Sequence, residues 1–124
     1  MASTVLTDET FLPTISQGIV LVDYWAAWCG PCRSFAPIFE SASEQHPDIT
    51  FGKVDTEAEQ QLAADAGISA IPTLAAFRDG VCVFLQAGAL SAPALERLIA
   101  AVRDLDMDEV RAQMAEQRAK EDQS

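Results

Sequence analysis

Positive charge is what this chain has least of. Eight lysines and arginines stand against 19 aspartates and glutamates, a formal net charge of −11 over 124 residues. Binding nucleic acid requires neutralising phosphates with Lys and Arg, so this balance argues against it, and equally against an anionic membrane surface. Long apolar runs are missing too. No segment approaches the roughly 18 apolar residues of a membrane span. The stretch from Met1 to Glu9 has no basic patch and no apolar segment of signal-peptide kind. Three cysteines are too few, and odd in number, for a secreted disulfide scaffold. There is no internal repeat. A tetrahedral zinc site would have to draw on Cys82 and His46, because a second Cys-x-x-Cys is absent. These absences predict a soluble cytoplasmic protein without a bound metal.

What is present is apolar mass and one short motif. Hydrophobic residues make up 49% of the chain, enough for one packed domain of this length without disulfide staples. Trp28-Cys29-Gly30-Pro31-Cys32 follows the apolar run Ile19–Ala26 and precedes a helix-like stretch. A dithiol where a strand hands over to a helix is placed for thiol–disulfide exchange. Cys29 sits at the positive end of the helix, where a thiolate is favoured, which makes it the candidate nucleophile. Cys32, one turn on, is the candidate resolving thiol.

The pattern of the rest predicts a short helix over 9–17 capped by Asp8, a strand over Ile19–Ala26, and a helix from Pro31 to about His46. Phe35, Ile38 and Phe39 lie on the inner face of that helix and Pro37 within it. Ile49–Val54 reads as a strand and Glu57–Ala66 as a helix. Thr73–Phe77 and Val81–Ala87 form a hairpin about Asp79-Gly80. Ser91 caps a last helix that faces inward through Leu95, Leu98, Ile99, Val102 and Leu105. Val5-Leu6 is a candidate edge strand. This order implies an α/β fold, a mixed sheet flanked by helices.

Asp23 interrupts the apolar strand, and burial of a lone carboxylate raises its pKa. Cys82, within Val81–Leu85, reads as a buried thiol packing like a small hydrophobe, with redox sensing the lesser reading. His46 near a helix C-terminus suits the dipole. From Asp106 the composition turns charged. Residues 1–105 are read as the domain and 106–124 as an extension, partly helical or disordered, whose Met107, Val110 and Met114 form a thin helical stripe. That stripe is either solvated or docks on the body or on another copy.

Four landmarks resemble the thioredoxin family across about residues 5–105: Val22-Asp23-Tyr24-Trp25-Ala26, Trp28-Cys29-Gly30-Pro31-Cys32, Ile71-Pro72-Thr73 and Gly88-Ala89-Leu90. The resemblance implies a five-stranded sheet in the order β1-β3-β2-β4-β5 with four flanking helices. It also implies a general protein-disulfide reductase that maintains cytosolic redox homeostasis. By the same resemblance Asp23 shuttles the proton of Cys32, Lys53 moderates Asp23, and Pro72 follows a cis peptide. Trp28, Gly30, Pro31, Ile71, Pro72, Gly88 and Ala89 then form the substrate-binding rim. The resemblance further implies no bound cofactor, with electrons supplied from NADPH through a flavin-containing thioredoxin reductase. The partners implied are that reductase and disulfide-containing proteins, met by a monomer. Where the family often has Gly-Ile-Arg, this chain has Gly67-Ile68-Ser69-Ala70, which could narrow the substrate range. An adaptor whose thiols are incidental is the competing function; an oxidant or isomerase is disfavoured by the Gly-Pro spacer.

Overall fold

Strand β2 (Ile19–Trp25) lies at the centre of the sheet, its five middle residues buried. It needs cover on both faces because its apolar residues do not alternate with polar ones. The computed structural model describes residues 2–122. On one side β2 pairs in parallel with β3 (Thr50–Asp55), and beyond it lies the short parallel strand β1 (Ser3–Val5). On the other side it pairs antiparallel with β4 (Thr73–Arg78), and β4 with β5 (Val81–Ala87). The order is β1-β3-β2-β4-β5, as the resemblance implies. The β4–β5 turn is the one its sequence demands. Asp79 and Gly80 both take positive φ, 51° and 86°, the requirement of a tight primed hairpin turn.

Among the described residues five helices accompany the sheet rather than four: α1 (Phe11–Ile15), α2 (Gly30–Gln45), α3 (Gln60–Asp65), α4 (Ala92–Arg103) and α5 (Met107–Asp122). One face of the sheet packs Leu21, Phe51 and Leu74 against Phe35 and Phe39 of α2 and Leu95 and Ile99 of α4. The other packs Val20, Val22, Tyr24 and Phe77 against Phe11 and Ile15 of α1, with Leu62 of α3 half-buried beside them. Ser91 caps α4 as expected, its side chain accepting the Ala94 N–H at 3.2 Å.

Several boundaries differ from expectation for local reasons. Asp8 is not the cap of α1: the helix starts after Thr10, whose hydroxyl accepts the N–H of Thr7 at 2.9 Å. Helix α3 starts three residues late because the Asp55 carboxylate takes the N–H groups of Glu57 and Ala58, at 2.9 and 3.3 Å. That bonding fixes a turn where a helix was expected. Helix α4 ends at Arg103 rather than Leu105. There the Arg78 guanidinium donates to the carbonyls of Val102, Arg103 and Leu105 at 2.8, 3.2 and 2.7 Å. The chain then restarts as α5, with Asp106 accepting the N–H groups of Asp108 and Glu109. Met107 is buried, and Arg111 reaches Asp79 of the hairpin at 3.9 Å.

Cys82 is the clearest correction. It is exposed on the edge strand β5, not buried in the core. A β-bulge between Ala76 and Phe77 sets Cys82 opposite Phe77 while Phe84 stays opposite Ala76. Two β5 steps therefore answer one β4 step, and a bulge of this kind re-aims the residue beyond it.

Candidate active site

The dithiol stands where β2 gives way to α2. Cys29 is the N-cap residue of α2, with extended backbone, and Pro31 lies in the first turn where a missing N–H is harmless. Cys29 and Cys32 are joined as a disulfide with their Cα atoms 5.2 Å apart. The backbone N–H of Cys32 donates to Cys29 Sγ at 3.2 Å. That bond and the positive end of a sixteen-residue helix both favour negative charge on this sulfur once the pair is reduced. Cys29 and Cys32 are 4% and 3% exposed, so an attacking group must approach through the surrounding rim.

The rim is built by three loops. Trp28 is 67% exposed, and its indole N–H donates to Glu57 Oε1 at 2.6 Å. Ile71 lies opposite, its carbonyl oxygen 3.7 Å from Cys29 Sγ. The Ile71–Pro72 peptide is cis, as the resemblance implies. The Gly88 N–H donates to the Pro72 carbonyl at 2.8 Å, tying the third loop to the second. Trp28, Ile68, Ser69, Ala70 and Ile71 flank a cleft of about 430 Å³ beside the dithiol. Gly30, Pro31, Gly88 and Ala89 are exposed.

Asp23 is fully buried in β2, and neither carboxylate oxygen has a hydrogen-bond partner. Desolvation pushes its pKa up to about 6, against the smaller opposing pull of Lys53, its register partner on β3. The Lys53 ammonium itself sits 4.9 Å from the centre of the Trp25 ring. His46 is occupied elsewhere, by Glu96 at 2.8 Å and Arg103 at 3.1 Å. Among the described residues no group of three or more His, Cys, Asp and Glu side chains could hold a metal, and no helix is long and apolar enough to cross a membrane.

The sequence marks Glu57 only as a helix start, not as a partner of Trp28. Glu57 stands 29 residues from Trp28, and no spacing rule links an indole to a carboxylate across that distance. It sits in the turn where the Asp55 carboxylate accepts its N–H at 2.9 Å.

The family model for thioredoxin matches residues 2–101. The chain belongs to the thioredoxin family. A Streptomyces coelicolor protein provisionally named thioredoxin 2 is 54% identical over 121 residues, covering 96% of this chain and 90% of the relative. The thioredoxin of Bacillus subtilis is 37% identical over 100 residues, covering 80% of this chain and 96% of its own. The crystal structure of the Malassezia sympodialis thioredoxin (Mala s 13) superposes with a TM-score of 0.71 at 32% identity, covering 80% of this chain and 89% of that one. As a bacterial-type member of this family the chain is a protein-disulfide oxidoreductase, and Cys29–Cys32 is its redox-active pair.

Proposed function

We propose that the protein is a general disulfide reductase in which Cys29 attacks and Cys32 resolves. The Cys29 thiolate bonds to one sulfur of a substrate disulfide, and the other substrate sulfur leaves as a thiolate and takes up a proton. Cys32 then gives its proton to Asp23, attacks Cys29 Sγ, and expels the second substrate sulfur. Two electrons pass to the substrate and the Cys29–Cys32 bond is remade. The observation that carries the assignment is the Cys32 N–H held 3.2 Å from Cys29 Sγ at the head of α2. Asp23 suits the proton step because it is buried, unpartnered and titrates near neutrality, with Lys53 tuning it.

Trp28, Gly30, Pro31, Ile71, Pro72, Gly88 and Ala89 form the docking rim, and the main chain at Ile71 pairs with an extended substrate segment. The catalytic body is residues 1–105, with 106–124 an extension. It works as a cytoplasmic monomer in redox homeostasis, and a flavin-containing, NADPH-dependent thioredoxin reductase restores the dithiol.

Insulin reduction with dithiothreitol tests the roles. Cys29→Ser should lower the rate to the background of dithiothreitol alone. Cys32→Ser should accumulate a mixed disulfide with its substrate. Full activity in Cys29→Ser would overturn the assignment.

A further inference from the structure

The α1/α3 face of the sheet holds a second cleft, of about 460 Å³, that shares no lining residue with the dithiol. It exists because α1 and α3 are only five and six residues long and leave the outer β4–β5 region uncovered. Phe11, Leu12, Leu62, Phe77 and Leu85 make its walls. Leu12 and Leu85 are 71% and 51% exposed. A cavity of this volume, apolar with a few converging polar groups, has the make-up of a small-molecule site.

Its polar groups are specific. Tyr24 is 1% exposed and lines the cleft, where its hydroxyl, bonded to none of the described residues, is reached by solvent rather than left buried and unpaired. Burial, and then the neighbouring Cys82, push its pKa up to about 12, so it remains a neutral donor and acceptor. The bulge that re-aims Cys82 brings this thiol to the same cleft. Asp8 and Asp65 complete the lining, and no Lys, Arg or His contributes to it. Asp65 accepts from Gln61 at 2.8 Å, whereas the Asp8 carboxylate has no hydrogen bond or ion pair among the described residues.

We infer that this cleft is a second binding site, taking a small apolar molecule with a cationic head. The apolar body fills the walls, the Tyr24 hydroxyl meets a polar atom along it, and the ammonium sits between Asp8 and Asp65. An anionic ligand is repelled by those two carboxylates, and a neutral one leaves them unused.

The test titrates 2-phenylethylamine against 2-phenylethanol into the oxidised full-length protein at low salt, following backbone amide shifts. The amine should bind about two- to fivefold tighter than the alcohol, with saturable shifts at Tyr24, Phe77 and Cys82. Asp8→Asn should bring the amine close to the alcohol. Leu12→Gln should weaken both while leaving insulin reduction unchanged. Equal affinity for the two probes, no saturable shift, or shifts confined to the dithiol rim would each overturn the proposal. So would a dimer in sedimentation that covers Leu12 and Leu85, since a second copy would then be the occupant.

Discussion

Against one face of the sheet lie α2 and α4, sixteen and twelve residues long; against the other lie α1 and α3, five and six. On the first face Phe35 and Phe39 of α2 and Phe51 of β3 interlock, with centroids 5.8 and 5.1 Å apart. Across the sheet one edge-to-face pair, Phe11 and Phe77, does the equivalent work at 5.9 Å, and a cleft remains beside it. The redox pair rides on the first of the densely packed helices. Attack geometry in thiol–disulfide exchange tolerates little drift, so the rigid face is where a nucleophile can be aimed, and the looser face is free to hold something else.

Truncation should expose this inequality most. Phe39→Ala removes a ring at 0% exposure and is expected to cost about 3–5 kcal/mol in chemical denaturation. Comparable losses from both faces would erase the distinction.

Asp23→Asn comes next and should stabilise the protein. The folded pKa of about 6 exceeds the ordinary 3.8, so the native state holds its proton more tightly than the unfolded chain. Wild-type stability is therefore undiminished below about pH 4 and falls as the pH rises through the folded value. The Asn variant should show no gain at pH 3, a growing one between pH 4 and 6, and a plateau on the order of 3 kcal/mol above pH 7. Denaturation midpoints across that range test it, and a flat difference would rule out an ionised, unpartnered Asp23.

Smaller effects sharpen the contrast. Ser91→Ala deletes the cap of α4 and should lose about 1 kcal/mol by thermal unfolding. Leu12→Ala, on the loose face at 71% exposure, should change stability by less than about 0.5 kcal/mol.

Most of the packed face was legible in the sequence because its signals are local. An unbroken apolar strand needs two covers, Ser91 precedes a periodic helix, and Asp-Gly dictates its own turn. The burial of Asp23 followed from its apolar neighbours on both sides. What escaped prediction depends on contacts between distant residues. A bulge in β5 turns Cys82 outward, though the strand reads as plain apolar sequence. The Asp55 carboxylate ends in a turn rather than extending a helix, and through that turn Glu57 reaches Trp28. Nor does any pattern announce that Arg78 will meet the end of α4, since its partners lie 24 to 27 residues ahead.

That last contact has a practical corollary. Arg78 is a trypsin target whose charged group is engaged by three carbonyls, whereas Arg111 and Arg118 stand exposed on α5. Brief digestion should clip the extension first and leave the hairpin intact. The appearance of a cut after Arg78 would then time the moment when β4 lets go of the body.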